Sequence, residues 1–423
     1  MKASLRAITV LVGNRLVWLA LSLLLVGCGS QDSGESVSAD KKQTIRLGLA
    51  LRTIDETNLS VHRMFQGIGF AVDRFKEKNP SIDIELVVEE FGQSREEIVA
   101  SGLRLLEAGV PAVIGAEWTS EALLLGDLFN GSKILFLTPT ASNPEVTRDK
   151  AYVFRGCFND EQAVNALSEF VTKSIDDTSK IGVVIDRSAT YSAYLGTGVY
   201  ELLLKDSTLK NVTAVEFPRV RQEYSGVDPV MRLDETKLRE SLIALKEAGV
   251  DHLLAPVYLS KFVELVRIAK SIDYSPTYYG PDGWGSNKRI CEDLLRIGVD
   301  CSASEIHAYR YSYLPELTSD EAKRLRAKLA EIGQEPTMMS VVAYDAAAVL
   351  LAAIKQSTDV SDAEAIRLSL QSGNFNGVNG QPISFDQSGN LKQPYLYFYE
   401  QKDGEWLYHG QISNDVGKQR STY

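Results

Sequence analysis

Ile45-Arg46-Leu47-Gly48-Leu49-Ala50-Leu51 places an apolar side chain at every second position, and Val61, Met64, Phe65, Ile68, Val72 and Phe75 then follow at helical spacing. Period two followed by period 3.6 reads as a β-strand running into an amphipathic helix. The alternation continues. Ile84-Glu85-Leu86-Val87-Val88 precedes a helix over about 96–108, Ala112-Val113-Ile114-Gly115 precedes one starting near Ser120, and Ile134-Leu135-Phe136-Leu137 follows. Repeated strand-helix units predict an α/β fold with a parallel sheet covered by helices on both faces.

The pattern restarts after Asp160. Helices are expected near 163–173, 194–204, 237–248 and 261–272, and strands at 181–185, 212–217, 253–258 and 277–279. The stretch 285–318 reads as irregular, helices follow near 319–332 and 341–355, and the tail after Phe375 reads as strands with turns at Gly377, Asn379-Gly380 and Gly389-Asn390. Two doubly wound parallel sheets fit this order and length.

The N-terminus carries its own message. Lys2, Arg6 and Arg15 precede a run from Leu16 to Val26 that is apolar apart from Ser22, and Gly27-Cys28 ends it. This is the layout of a secretory signal and is too short to span a bilayer. The run resembles a bacterial lipobox, which implies cleavage before Cys28 and lipid on the new N-terminal cysteine. Residues 1–27 are then a signal peptide and 28–42 a polar tether. Loss of residues 1–27 removes three basic and no acidic side chains, so 42 Lys and Arg remain against 56 Asp and Glu, a formal charge of −14. An acidic chain of this kind is a poor match for nucleic acid.

Histidines 62, 252, 307 and 409 are isolated in sequence, so no metal site is expected. Cys291 and Cys301 could close a short disulfide in an oxidising envelope, with Cys157 buried; the alternative that all three are packing residues stays open. The first strand-to-helix turn, Leu51 to Leu59, lacks GxGxxG and GxxxxGK[ST], and no GxSxG elbow is present. No cofactor is expected. An enzyme using Asp282 or Glu117 as acid or base would lack a nucleophile or metal beside it.

Binding signals are clearer. Gly115-Ala116-Glu117-Trp118-Thr119-Ser120 and Thr138-Pro139-Thr140-Ala141-Ser142-Asn143-Pro144 each leave a buried-type strand and open a helix. Ligands sit at the carboxyl ends of such strands, and helix starts favour anions; these hydroxyls also suit plain helix caps. Gly280-Pro281-Asp282-Gly283-Trp284-Gly285 ends another strand, where Asp282 suits a turn or a ligand ammonium. Tyr191 and Tyr258 could wall a cleft.

In their order, these motifs, with Phe65-Gln66-Gly67, Phe154-Arg155, Tyr344-Asp345-Ala346 and the turns from Asn376 to Asn390, resemble the type I periplasmic solute-binding proteins of the leucine/isoleucine/valine-binding branch. The resemblance spans about residues 43–400. It implies two lobes joined by a three-crossing hinge: lobe one from 43–156 plus 295–372, lobe two from 157–294 plus 373–423, with crossings near 155–159, 284–302 and 373–379. It further implies that Thr119, Ser120, Ala141 and Ser142 hold a ligand carboxylate, that Asp282 meets the ammonium, and that Tyr191, Tyr258, Trp118 and Trp284 flank the cleft. The charged, glycine-free Arg52–Asn58 loop and an Asp in place of the branch's longer Glu are departures. The expected role is a lipid-anchored envelope receptor that captures an amino acid or similar polar metabolite and passes it to an ABC permease, facing the periplasm or exterior. The alternative is a lipoprotein of the same fold that regulates an envelope sensor through protein contacts.

Overall fold

The computed structural model describes residues 43–413 except 56–57, 177, 218, 221–231, 304 and 315. The signal peptide, Cys28 and the tether lie outside the described residues. Strands β1 (Gln43–Arg52), β2 (Ile82–Phe91), β3 (Ala112–Gly115), β4 (Leu135–Thr138) and β5 (Val153–Arg155) form an all-parallel sheet in the order β2-β1-β3-β4-β5. Helices α1 (Leu59–Lys78), α2 (Arg95–Glu107) and α3 (Thr119–Gly131) connect its strands. In β1, Ile45, Leu47, Leu49 and Leu51 are buried in one apolar cluster with α1, while Ala50 on the opposite face belongs to another. Both faces are therefore covered, as a parallel sheet requires.

After α4 (Asp160–Ser174) the chain builds a second sheet. β6 (Ile181–Ile185), α5 (Thr190–Lys205) and β7 (Val212–Glu216) lead to a small antiparallel pair, β8 (Arg219–Val220) and β9 (Arg232–Leu233). Next come α6 (Glu235–Ala248), β10 (His252–Leu254), α7 (Leu259–Ser271), β11 (Thr277–Gly280), α8 (Asn287–Arg296) and β12 (Ala308–Ser312). The chain then returns to the first lobe as α9 (Asp320–Glu331), α10 (Met338–Gln356) and α11 (Ala363–Ser372), followed by the short pair β13 (Phe375–Asn376) and β14 (Pro382–Ile383). β15 (Tyr395–Lys402) and β16 (Glu405–Ser413) close the second sheet in the order β16-β15-β12-β11-β10-β6-β7, where β15 pairs antiparallel with both β12 and β16 and the other pairings are parallel. α10 is apolar enough to cross a membrane, but it is a core helix whose residues are mostly buried.

Three expectations need correction. The stretch 285–318 is not irregular: it holds α8, where Ile290 and Leu294 are buried on one side of an otherwise charged helix, and β12. Because β12 pairs with β11 and β15, the expected lobe-one segment 295–372 begins too early; the return to the first lobe follows Ser312. The expected crossing at 373–379 is also early. Asp345 of α10 accepts from Val378 N at 2.6 Å and Gln381 Nε2 at 2.8 Å, and Arg155 N donates to Gly389 O at 2.9 Å, so residues through Gly389 are bound to the first lobe. The Cys291 and Cys301 sulfurs are joined in a disulfide and Cys157 is free and buried.

α1 and α10 pack closely at Gly67, where an added Cβ would stand 2.1 Å from the carbonyl oxygen of Ser340. That oxygen belongs to rigid helical backbone and cannot step aside. Gly67→Ala is expected to destabilise the protein by about 1–3 kcal/mol or more through overpacking, measured by urea denaturation; an unchanged midpoint would contradict the packing account.

Candidate functional site

The carboxyl ends of β3 and β4 carry the first group of candidate residues. Thr119, Ser120, Ala141 and Ser142 are all buried there. The strand-to-helix turn is tight: Ala116 has φ 60°, a left-handed conformation unusual for alanine, and its carbonyl accepts from Thr138 Oγ1 at 3.3 Å. Thr140 Oγ1 donates to Glu117 O at 2.8 Å, which ties the two loops together. Asn143 caps the single turn Pro144–Val146, with Pro144 at its start, a 3-10 turn where a longer helix was expected. Behind the loop, the fully buried guanidinium of Arg155 donates to Ala141 O (3.0 Å), Asn143 O (2.8 Å), Thr147 Oγ1 (3.3 Å) and Asn390 Oδ1 (3.1 Å).

Part of the anion-binding capacity at the start of α3 is used by the chain itself. Glu121 Oε2 accepts from Glu117 N and Trp118 N, both at 3.2 Å, while its other oxygen is held by Arg52 Nε. The Arg52 guanidinium also lies 3.5 Å from the centroid of the Trp118 ring. Arg52 is thus fixed to the cleft wall by an ion pair and a cation–π contact, and does not simply face solvent.

The second lobe carries the remaining candidates. Tyr191, in the first turn of α5, donates its hydroxyl to Asp282 Oδ1 at 2.5 Å. Its ring lies 5.1 Å from that of Tyr258, and Tyr258 lies 6.5 Å from Trp118, so three aromatic rings bridge from one lobe to the other. Trp284 does not flank the cleft as expected: it is fully buried and stacks on Phe262 with centroids 3.6 Å apart. Shielding from water raises the Asp282 pKa, opposed by the Tyr191 hydroxyl and the Arg310 charge. Burial lowers Arg310 to about 10, and its Nη1 donates to Asn287 Oδ1 at 2.6 Å.

Sequence reading missed Glu121, Asp160 and Arg310, and named Arg52 only as part of the charged 52–58 loop. Arg52 ends β1, so the strand-end rule that picked out Thr119 and Ser142 would also have found it. Arg310 is a lone charge inside the buried strand β12.

Burial lifts three carboxyls, Glu117, Asp160 and Asp345, to about 7. An unfolded carboxyl titrates near pH 4. Between about pH 4 and 7 the folded chain therefore binds more protons at these groups than the unfolded chain, and their contribution to stability rises as pH falls through that window. The melting temperature is expected to be higher at pH 5.5 than at pH 8; a lower value at pH 5.5 would show that these acids are ionised and paired.

The chain is 22% identical over 344 residues to the Leu/Ile/Val-binding protein BraC3 of Rhizobium johnstonii, covering 80% of this chain and 86% of that one. The leucine-binding protein LivK of Thermotoga maritima superposes with a TM-score of 0.71 at 20% identity, covering 88% of this chain and 99% of that one. A solute-binding protein of R. palustris solved with 4-hydroxybenzoate superposes with a TM-score of 0.69 at 17% identity, over 90% of this chain and all of that one. The periplasmic binding protein family model matches residues 60–405, and the chain belongs to that family, the extracytoplasmic solute-binding components of ABC transporters.

Proposed function

We propose that the protein captures an amino acid or similar small polar metabolite between its lobes and delivers it to an ABC importer, held at the membrane by lipid on Cys28. The observation that carries the ligand class is the pairing of unlike walls: buried hydroxyls at Thr119, Ser120 and Ser142 on one lobe, and the Tyr191–Asp282 pair on the other. A zwitterion presents opposite charges to opposite lobes, so closing on it joins them. In this reading Thr119, Ser120, Ala141 and Ser142 receive the carboxylate, Asp282 the ammonium, and Tyr191 and Tyr258 pack against the remainder. Glu117 N and Trp118 N take no part, because Glu121 occupies them. The names of the Leu/Ile/Val-binding relatives support an amino acid.

The test is thermal shift of the purified full chain, unfolded and refolded to strip bound solute, against amino acids, diamines and benzoates. A ligand at 100 times its dissociation constant stabilises by about 2.7 kcal/mol. A response to amino acids supports the reading. A response to benzoates alone replaces the ligand class, for which the aromatic bridge of Trp118, Tyr258 and Tyr191 would then be the receptor. A cooperative melt that no solute moves would favour a regulator acting through protein contacts. For the anchor, Cys28→Ser is expected to accumulate as unlipidated precursor on labelling with radioactive palmitate; label retained in that variant would refute it.

A further inference from the structure

We infer that the Cys291–Cys301 disulfide is a redox latch on the Asp282 turn: a dithiol reductant that opens it frees α8 and lowers solute affinity while both lobes stay folded. This rests on the solute-binding reading above and adds a control to it. The chain runs from Asp282 through Gly285 and the Ser286 cap straight into α8, and Gly285 N donates to Asp282 O at 2.8 Å. Asn287, the first residue of α8, accepts from Arg310 Nη1 at 2.6 Å. Arg310 is buried, its charge acts on Asp282, and its Nε has no hydrogen-bond partner among the described residues. One turn further on, Cys291 is bonded to Cys301, whose carbonyl accepts from Gln401 Nε2 of β15 at 2.8 Å. The disulfide thus joins the helix that follows Asp282 to the sheet of the second lobe.

Little else holds α8. Of its ten residues Ile290 and Leu294 are buried, while Lys288, Arg289, Glu292 and Arg296 are exposed. A helix this short is marginal on its own. The ion pair of Arg289 with Asp293 runs along the helix and does not tie it to the lobe. The Asp282 turn keeps a separate anchor, because Trp284 is buried and stacked on Phe262. Freeing α8 therefore withdraws Asn287 from Arg310 rather than unfolding the turn, and a buried guanidinium that loses a partner is costly to keep in place. Cys291 is half-buried and Cys301 buried, so an attacking thiolate meets the Cys291 sulfur. It forms a mixed disulfide with Cys291 and expels the Cys301 thiolate, and the reductant's second thiol then displaces Cys291. The reductant ends as its own disulfide, and Cys291 and Cys301 end as thiols that hold its two electrons and two protons.

Calorimetric titration of the full chain with leucine, lysine and benzoate, oxidised and after dithiothreitol, decides it, beside a melt and hydrogen exchange of residues 285–301. If α8 is in place in about one reduced molecule in ten, apparent affinity falls about ten-fold. The expected result is that loss for whichever solute binds, faster exchange confined to 285–301, a melt that remains cooperative, and recovery on reoxidation. Cys291→Ser/Cys301→Ser should match the reduced chain and no longer respond to dithiothreitol. Equal affinity of the oxidised and reduced chains overturns the inference and leaves the receptor reading standing. So does loss of the cooperative melt on reduction, which would make the bond a support of the whole lobe, and so does a response to dithiothreitol in the double variant, which would trace the effect to Cys157. Should the double variant fail to fold, the reduced wild-type chain alone decides. Silence of all three solutes in the oxidised chain overturns the receptor reading itself, and the inference with it.

Discussion

Asp282→Ala is expected to weaken solute binding by about 2–5 kcal/mol, the range for removing one partner of a buried charge contact, or roughly thirty-fold and upward. The chain should still fold. Asp282 sits in a single 3-10 turn at the end of β11, and its side chain accepts from the Tyr191 hydroxyl and from backbone N–H groups of its own turn. Shielding raises its pKa, so the folded state gains nothing from its charge when the cleft is empty. Binding and stability therefore separate at this residue. Calorimetric titration with the solute found by thermal shift, beside a melting curve, checks both halves. Wild-type affinity would remove Asp282 from the site, and collapse of the melt would make it a structural residue.

Arg155→Ala is expected to produce the opposite division, with a loss of about 3–5 kcal/mol of stability, typical of breaking a buried charged network. The side chain is wholly buried, and its removal strands the carbonyls of Ala141 and Asn143 together with Thr147 and Asn390. Each stranded acceptor costs about 1–3 kcal/mol before relaxation. The same groups hold the 138–144 loop in place and join β5 to the segment ending at Asn390. Solute affinity should therefore fall too, although Arg155 reaches the cleft only through that loop. Urea denaturation measures the first effect, and a midpoint near wild type would contradict the clamp.

The regular elements were legible because their apolar spacing is strong. Ile45 to Leu51 and Val61 to Phe75 occupy the strand and helix that their periods call for. The lobe boundaries were less so, for a physical reason. β12 is the five residues Ala308–Ser312 with an arginine at its centre, and neither length nor alternation marks it as a strand; pairing with β11 and β15 makes it one. The 375–391 segment read correctly as turns and short strands, but its attachment to the first lobe depends on Asp345 and Arg155, which are distant in sequence.

The candidate site divides in the same way. Thr119, Ser120, Ser142 and Asp282 stand at strand ends and announce themselves by position. Arg52 and Glu121 act through a pairing across 69 residues, and no local pattern in either segment reveals it. Trp284 was misplaced because the resemblance carried it to the cleft by its position after β11, whereas the ring folds back over Gly280, whose missing side chain makes the space.

The central claim is that one small solute binds between the walls that carry Ser142 and Asp282. Calorimetric titration of the refolded full chain, with Asp282→Ala as the paired control, tests it most directly. The account predicts saturable binding of one molecule per chain by an amine-bearing solute, with most of the affinity lost in the variant. Folded protein that shows no saturable heat with any amino acid, diamine or benzoate, or that binds one equally well without Asp282, would contradict it.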